Sequence, residues 1–331
     1  MICTAIILVI YLLVILAGSE WKREDDTEHF MNRDYTNVLK GLCCVLVVIV
    51  HVPAAYGNSL QQMVGGFSQV SVTLYFLFSA YGVLTGIRNK PGYLNSFWKN
   101  RLPALLIPFV LSCLIKMIAG VHVGSGGTFF VLVLLLFYGA TYVSAKYFPR
   151  KTVLLICLFV GAYSILGSAT GLLQWPTQAL GFAYGALLYE YLPSFKAWIQ
   201  KSYVPKLAGI TFLAGGSTFA YAVMKLPLGK IGAVLLQNTM VFFLILWIFA
   251  VTFRLKLGNA ASRFLGRISF DIFLYHGLVQ GLLLMMAASA VGVYLTSGLF
   301  LTLMLILSIG ISAVTHGIND RIVALLKNRI E

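Results

Sequence analysis

Eleven predominantly apolar stretches, close to the length that crosses a lipid bilayer, alternate with short charged gaps along this chain of 331 residues. A spanning helix needs about 20 mainly apolar residues. Only 10% of the residues are charged, against about 25% in an ordinary soluble domain. The pattern therefore predicts an all-α, polytopic transmembrane helical bundle, with segments at 2–18, 40–57, 66–87, 103–120, 128–145, 152–170, 177–192, 207–224, 231–253, 268–289 and 296–316.

Basic residues occupy alternate gaps between these stretches. If the charged segment before residue 40 is cytoplasmic, only Lys225 and Lys230 fall in outside loops. Because Lys and Arg hold loops in the cytoplasm, we predict a ten-helix core with both ends inside. This topology also explains the net charge of +14, so we expect membrane lipids and no nucleic acid as partners. The inside positions are Arg88, Lys90, Lys99, Arg101, Lys146, Arg150, Lys151, Lys196, Lys201, Lys206, Arg254, Lys256, Arg263, Arg267, Arg321, Lys327 and Arg329.

The first apolar stretch leaves two interpretations open, an extra transmembrane helix or an uncleaved, signal-like anchor. A cleaved signal peptide is disfavoured because no basic region precedes the apolar residues. The predicted organisation is an extra N-terminal helix at 1–19, a charged linker at 20–35, a ten-helix membrane domain at 36–318 and a cytoplasmic tail at 319–331. The sequence leaves the oligomeric state open.

Cysteine and glycine patterns predict packing and no metal chemistry. The five cysteines all lie in apolar stretches, none forms a Cys-x-x-Cys pair, and their number is odd. We therefore expect no disulfide framework and no metal site. Two Gly-x-x-x-Gly pairs, Gly181–Gly185 and Gly277–Gly281, predict close contacts between helices.

Few ionisable residues lie at membrane depth, where each is costly and so a candidate functional residue. Lys116, Glu190 and His316 lie near the ends of predicted helices, where we expect their side chains to reach the interface. The others are Lys40, His51, Asp271 and His276.

Lys40 and His51 are eleven residues apart in the first core segment. That separation is about three turns, or roughly 16 Å, and returns to nearly the same helix face. Lys40 can bind a phosphate or carboxylate at the membrane surface while His51 faces a deeper group. A core histidine paired with a carbonyl explains His51 equally well, and the residues alone leave both interpretations open.

Asp271 and His276 open the ninth core helix. Their separation of five residues places them on different faces, so an Asp–His dyad within the helix is disfavoured. We expect each side chain to point towards another helix of the bundle.

Four segments carry motifs in a defined order along the chain: Lys40-x10-His51, the stretch 74–82 with Ser79 and Tyr81, the basic segment 97–108 with Lys99 and Arg101, and the helix 269–276 with Asp271, Tyr275 and His276. In order and type these resemble the membrane-bound acyltransferase 3 family, which has an Arg/Lys-x10-His signature and a late Ser…Tyr-x-x-His helix. The chain departs from that pattern in having Asn37 for an aspartate, Ala80 for a glycine and Ala104 for a second arginine.

The resemblance implies an O-acyltransferase that moves an acetyl group from acetyl-CoA to a hydroxyl of an envelope glycan, or of its lipid-linked precursor, in the bacterial cytoplasmic membrane. It implies that His51 is the general base or a transient acyl carrier, with Lys40 as a second catalytic residue. Lys40, Lys99 and Arg101 would meet the donor phosphates, and Ser79, Tyr81, Asp271, Tyr275 and His276 would support the substrates. A transporter or flippase for a small metabolite or glycan is the alternative.

Overall fold

The computed structural model describes residues 1–23, 26–122, 125–224, 229–288 and 296–330, and it is almost entirely helical. Each of the eleven predicted stretches overlaps a helix, which confirms the all-α membrane bundle. The α-helices are α1 (Ile2–Leu16), α2 (Arg33–Val50), α3 (Ser59–Gly65), α4 (Ser68–Asn89), α5 (Phe97–Ile118), α6 (Ser125–Tyr147), α7 (Thr152–Thr170), α8 (Leu180–Gln200), α9 (Tyr203–Met224), α10 (Gly229–Arg254), α11 (Ala260–Arg267), α12 (Ser269–Ala288) and α13 (Ser297–Ile330).

Eight helical segments of the described chain are long and apolar enough to cross a membrane by length and composition. They correspond to α4, α5, α6, α7, α9, α10, α12 and α13. The more polar α2 and α8 complete the core, since α2 packs against α4, α11 and α12, and α8 packs against α4 and α7. The chain is therefore a multi-pass membrane protein.

The first core helix is displaced towards the N-terminus from its predicted position. Helix α2 begins at Arg33, after Asn32, whose side chain accepts a hydrogen bond from the Tyr35 N–H at 2.8 Å. It ends at Val50, because Pro53 disfavours helical backbone at the residue before it and cannot continue the ladder. His51 is consequently the C-terminal cap of α2 rather than a residue inside a helix extending to position 57.

Glycines bring the central helices into close contact. Gly181 and Gly185 of α8 lie against the carbonyl groups of Thr73 and Leu77 in α4, where a Cβ atom would clash. The predicted packing role of this Gly-x-x-x-Gly pair agrees with these contacts. Gly266 of α11 lies in the same way against the Asn37 carbonyl group of α2.

One end of the bundle gathers segments that the charge pattern assigns to the same side. Strand β1 (Glu20–Trp21) pairs antiparallel with β2 (Leu255–Lys256), and the Lys196 ammonium donates to the Thr27 carbonyl at 3.0 Å. We call this the basic end. At the far end, the Tyr56 ring stacks on Phe300 with centroids 4.4 Å apart. Lys225 lies outside the described residues, as do the side chains of Lys230, Lys327 and Arg329.

The N-terminal segment is attached to the core along its length. The Tyr11 hydroxyl donates to the Leu42 carbonyl at 2.8 Å, and the Asn259 amide donates to the Val14 carbonyl at 2.7 Å. In the described part of the following linker Arg23, Asp26 and Glu28 are exposed, whereas its end, Phe30 and Met31, is buried. The Phe30 ring packs among the rings of Tyr35, Phe195, Phe249 and Phe253.

Candidate functional site

A large cavity of about 1090 Å³ lies at the basic end, between α2, α4, α5, α6 and the start of α12. Among the described residues that line it there is no aspartate or glutamate. Five cations do line it, which makes the cavity strongly positive and suited to a ligand with several negative charges. These are Arg33, Lys40, Lys90, Arg101 and Arg267.

Arg101 is held in place by two aromatic rings. Its Nε and Nη2 atoms donate to the Tyr93 hydroxyl at 2.9 and 2.6 Å. Its Cζ atom lies 5.9 Å from the Tyr93 ring centroid and 5.6 Å from that of Tyr138. Because neither partner is an acid, neither compensates the positive charge that Arg101 presents at the cavity.

The cations of the cavity have no counter-ions in the described part of the chain. None of the five takes part in a salt bridge there, and Asp34, next to Arg33 in sequence, reaches Arg263 instead, at 3.3 Å. Lys40 is close enough to Arg33 and Arg101 for their charges to repel. An anionic ligand would relieve this repulsion.

The cavity is lined by four of the nine site residues predicted from the sequence. Lys40, Ser79, Tyr81 and Arg101 line it, whereas Lys99 is half-buried outside its lining. Three further cations were missed as site residues. These are Arg33, Lys90 and Arg267. Lys90 and Arg267 were interpreted only as loop charges that orient the bundle. Arg33 could have been predicted, because it lies two turns before Lys40 on the same helix face.

A pair of histidines lies beyond the cavity, towards the far end of the bundle. The rings of His51, at the end of α2, and His276, in α12, have centroids 4.5 Å apart and planes inclined at 60°. His51 is exposed and His276 is buried. The Gln280 amide donates to the His51 carbonyl at 2.8 Å and so fixes the end of α2 against α12.

Both imidazoles are oriented by the same kind of bond. The Nδ1 atom of His51 lies 2.7 Å from the Val47 carbonyl oxygen, and that of His276 lies 3.1 Å from the Ile272 carbonyl oxygen. A carbonyl oxygen only accepts, so each Nδ1 carries the proton and donates. In the neutral ring the lone pair then lies on Nε2, which makes each Nε2 available as a base or nucleophile.

One layer of aromatic rings separates the cavity from the histidine pair. Tyr75 and Phe130 line the cavity, and their ring centroids lie 6.3 and 4.8 Å from that of Phe273. The Phe273 centroid is in turn 6.1 Å from that of His276. His276 is therefore the imidazole on the cavity side of the pair, and the exposed His51 is on the far side.

Asp271 belongs to a different polar group. Its carboxylate accepts from His316 Nδ1 at 2.8 Å and from the Asn319 amide at 2.6 Å, both in α13. Asp271 and His276 thus reach different helices, as their spacing predicted. The interfacial interpretation of Lys116 was wrong, because Lys116 is buried. His316 is half-buried and lies between the buried carboxylate of Asp271 and the exposed carboxylate of Asp320. Tyr275 is fully buried and close to Asp271.

Replacement of Asp271 by alanine is expected to destabilise the protein rather than to change the cationic cavity. It would leave His316 and Asn319 without their buried acceptor, at a cost of about 2–4 kcal/mol. The melting temperature of the purified protein measures this loss. Asp320→Ala is a matched control, because Asp320 reaches the same histidine at 3.4 Å from an exposed position. Equal melting temperatures for the two variants would contradict the structural role.

Comparison with known proteins identifies one family. A family model described as an acyltransferase domain, of the acyltransferase 3 type, matches residues 33–317. The matched range contains both the cationic cavity and the histidine pair. No curated protein and no solved structure shows a significant match to the chain.

Proposed function

Since the chain belongs to the acyltransferase 3 family, we propose that this multi-pass membrane acyltransferase uses acetyl-CoA to acetylate a hydroxyl of an envelope saccharide or of a lipid-linked glycan precursor. The observation that carries the proposal is the cationic cavity at the basic end, separated from the histidine pair by a single aromatic layer. Under the positive-inside rule the basic end faces the cytoplasm, where acetyl-CoA is made. As the family resemblance implies, we propose the cytoplasmic membrane of a bacterium as the location of the protein.

The cavity suits the nucleotide part of the donor. Coenzyme A carries a diphosphate and a further phosphate on its ribose, and phosphates bind arginine and lysine through charge-assisted hydrogen bonds. Arg101, fixed by Tyr93 and Tyr138, is the best oriented of the cations, and Lys40 and Arg33 supply charge from α2. Lys99 does not line the cavity, so we assign no phosphate contact to its side chain.

The acyl end of the donor would reach the histidines through the aromatic layer. Lys40 and His51 are separated by a rise of about 16 Å along the chain direction of α2. The thioester is at the tip of a long flexible arm, so the phosphates and the thioester can occupy sites this far apart. Movement of the Phe273 ring, which touches both the cavity wall and His276, is the smallest change that would open the path.

The chemistry follows from the available Nε2 atoms. His51 Nε2 removes the proton of the acceptor hydroxyl, and the oxygen forms a bond to the thioester carbonyl carbon. The carbon–sulfur bond then breaks, and the departing thiolate receives the proton from the imidazolium. No net proton is gained or lost. In the second form of the proposal His51 Nε2 bonds to the thioester carbonyl carbon while the carbon–sulfur bond breaks and coenzyme A leaves as a thiolate. The acceptor oxygen then bonds to the acetyl carbon as the carbon–Nε2 bond breaks, and the hydroxyl proton passes through the imidazole to the thiolate.

An assay with purified protein tests the proposal. With radiolabelled acetyl-CoA and an envelope saccharide extract, we expect acetyl ester in the saccharide and free coenzyme A in equal amounts. Withholding the extract distinguishes the two chemical forms, because acetyl-histidine accumulates only if His51 is a carrier. Binding of the saccharide with no release of coenzyme A would contradict acetyl transfer and favour the transporter.

A further inference from the structure

Lys116 is a buried cation that the proposed chemistry does not yet use. It lies in the last turn of α5 and is 8% exposed. Its ammonium forms no ion pair and no hydrogen bond with any residue that the structure describes. A buried charge without a partner is destabilising, which makes Lys116 a candidate for binding an anion from outside the chain.

The fold places this ammonium beside the histidine pair. Gly281 of α12 lies in close contact with Val121, just after α5, which holds the end of α5 against α12. One turn earlier Gly277 has no side chain, and a Cβ atom there would lie 4.0 Å from Lys116 Nζ. His276, the residue just before Gly277, interacts electrostatically with both His51 and Lys116. The second predicted Gly-x-x-x-Gly pair therefore packs tightly at Gly281, and at Gly277 the ammonium of Lys116 lies at ordinary contact distance from the helix backbone.

The segments that connect the helices at the far end of the bundle contain no acidic residue that would repel an anion. These segments, residues 51–67, 119–127, 171–179, 225–230 and 289–296, contain no aspartate or glutamate in the sequence. The exposed His51 lies at this end, and exposed His122 follows α5. An anionic molecule that approaches His51 from the far end thus meets neutral or basic groups before it reaches Lys116.

We propose that Lys116 binds an anionic group of the acceptor, which is therefore a saccharide that carries a carboxylate or a phosphate near the hydroxyl to be acylated. The inference rests on the proposed function, because it assumes that the acceptor meets His51 from the far end. A cation in surroundings of low dielectric attracts such a group strongly, and the contact would orient the hydroxyl towards His51 Nε2. An acidic sugar and a phosphate of a lipid-linked glycan supply the same chemistry.

The chemical class of the product tests the inference directly. Envelope saccharides from cells that express the protein, and from cells that express His51→Ala, are separated by anion exchange and analysed for ester-linked acetyl by mass spectrometry. We expect the additional acetyl in the retained, anionic fraction. Acetyl confined to the neutral fraction overturns the role of Lys116 and leaves the acyltransferase intact. No difference in acetyl between the two strains overturns the proposed function, and this inference with it.

A variant series tests the residue itself, with acetyl-CoA and the anionic saccharide fraction as probes. Lys116→Met should raise KM for the saccharide at least tenfold and leave KM for acetyl-CoA unchanged, since one charge-assisted contact is lost. Lys116→Arg should retain most of the affinity because it keeps the charge. Lys151→Met, at an exposed position of the basic end, is the control and should behave as the wild type.

Neutralising the saccharide gives a test that needs no variant. Reduction of its carboxylates, or removal of its phosphates, should raise KM for the wild-type protein to the Lys116→Met level, and the effective treatment identifies the anion. If Lys116→Met instead lowers kcat equally with native and neutralised saccharide, Lys116 acts on the reacting carbonyl group. That result overturns acceptor binding.

Discussion

The His51→Ala variant is expected to lose acetyl transfer, with kcat/KM lowered by about 1,000-fold, as befits removal of a general base or acyl carrier. The fold should survive, because the His51 side chain is exposed and the hydrogen bond of its ring is to its own helix. Protein level in the membrane and melting temperature should therefore match the wild type. Transfer is measured as radiolabelled acetyl ester formed on the saccharide.

The matched control for this prediction is His122→Ala, a second exposed histidine whose ring has no contact with the His276 ring among the described residues. It should keep the wild-type kcat. Retention of acetyl transfer by His51→Ala would remove His51 from the mechanism, and the buried His276 would become the next candidate. If the two imidazoles act as one unit, the double variant should lose little more than His51→Ala alone.

The second large effect is expected at the basic end. Arg101→Ala should raise KM for acetyl-CoA by about 10- to 100-fold, the equivalent of one or two charge-assisted hydrogen bonds to phosphate. When acetyl-CoA is saturating, kcat should change little, because Arg101 is remote from the thioester. The effect should shrink with added salt, since salt weakens the attraction in the wild type.

Lys99→Ala is the control, two residues away in the same helix. Sequence alone makes Lys99 and Arg101 equal candidates for the donor phosphates, whereas only Arg101 lines the cavity. We therefore expect KM for acetyl-CoA to remain near the wild-type value in Lys99→Ala. Equal effects of the two substitutions would show that the cavity is not the donor site.

The helices could be predicted because their positions follow from local hydropathy. A stretch such as 231–253 has few charges and must form a helix in lipid, where every backbone polar group needs a partner within the chain. Helix ends were less accurate, because they depend on capping and on proline. With Asn32 as its cap, α2 begins at Arg33, seven residues before the predicted start at Lys40. Pro53 prevents the helix from continuing past His51.

The site could be predicted only in part. Lys40, His51 and Arg101 are recognisable because they belong to short motifs. Lys116 and His316 were assigned to the interface because the sequence shows only how far a residue is from a helix end. Their actual environments depend on the neighbours, Gly277 for Lys116 and Asp271 for His316.

The sequence by itself thus determined the class of the protein, its basic end and the residues of its motifs. Only the tertiary structure decided that His51 meets His276, more than two hundred residues away, and that an aromatic layer separates this pair from the cations. The physical reason is that hydropathy depends on composition along one segment. Which face of a helix meets which neighbour depends on close contacts, such as those at Gly185 and Gly266, between segments far apart in the chain.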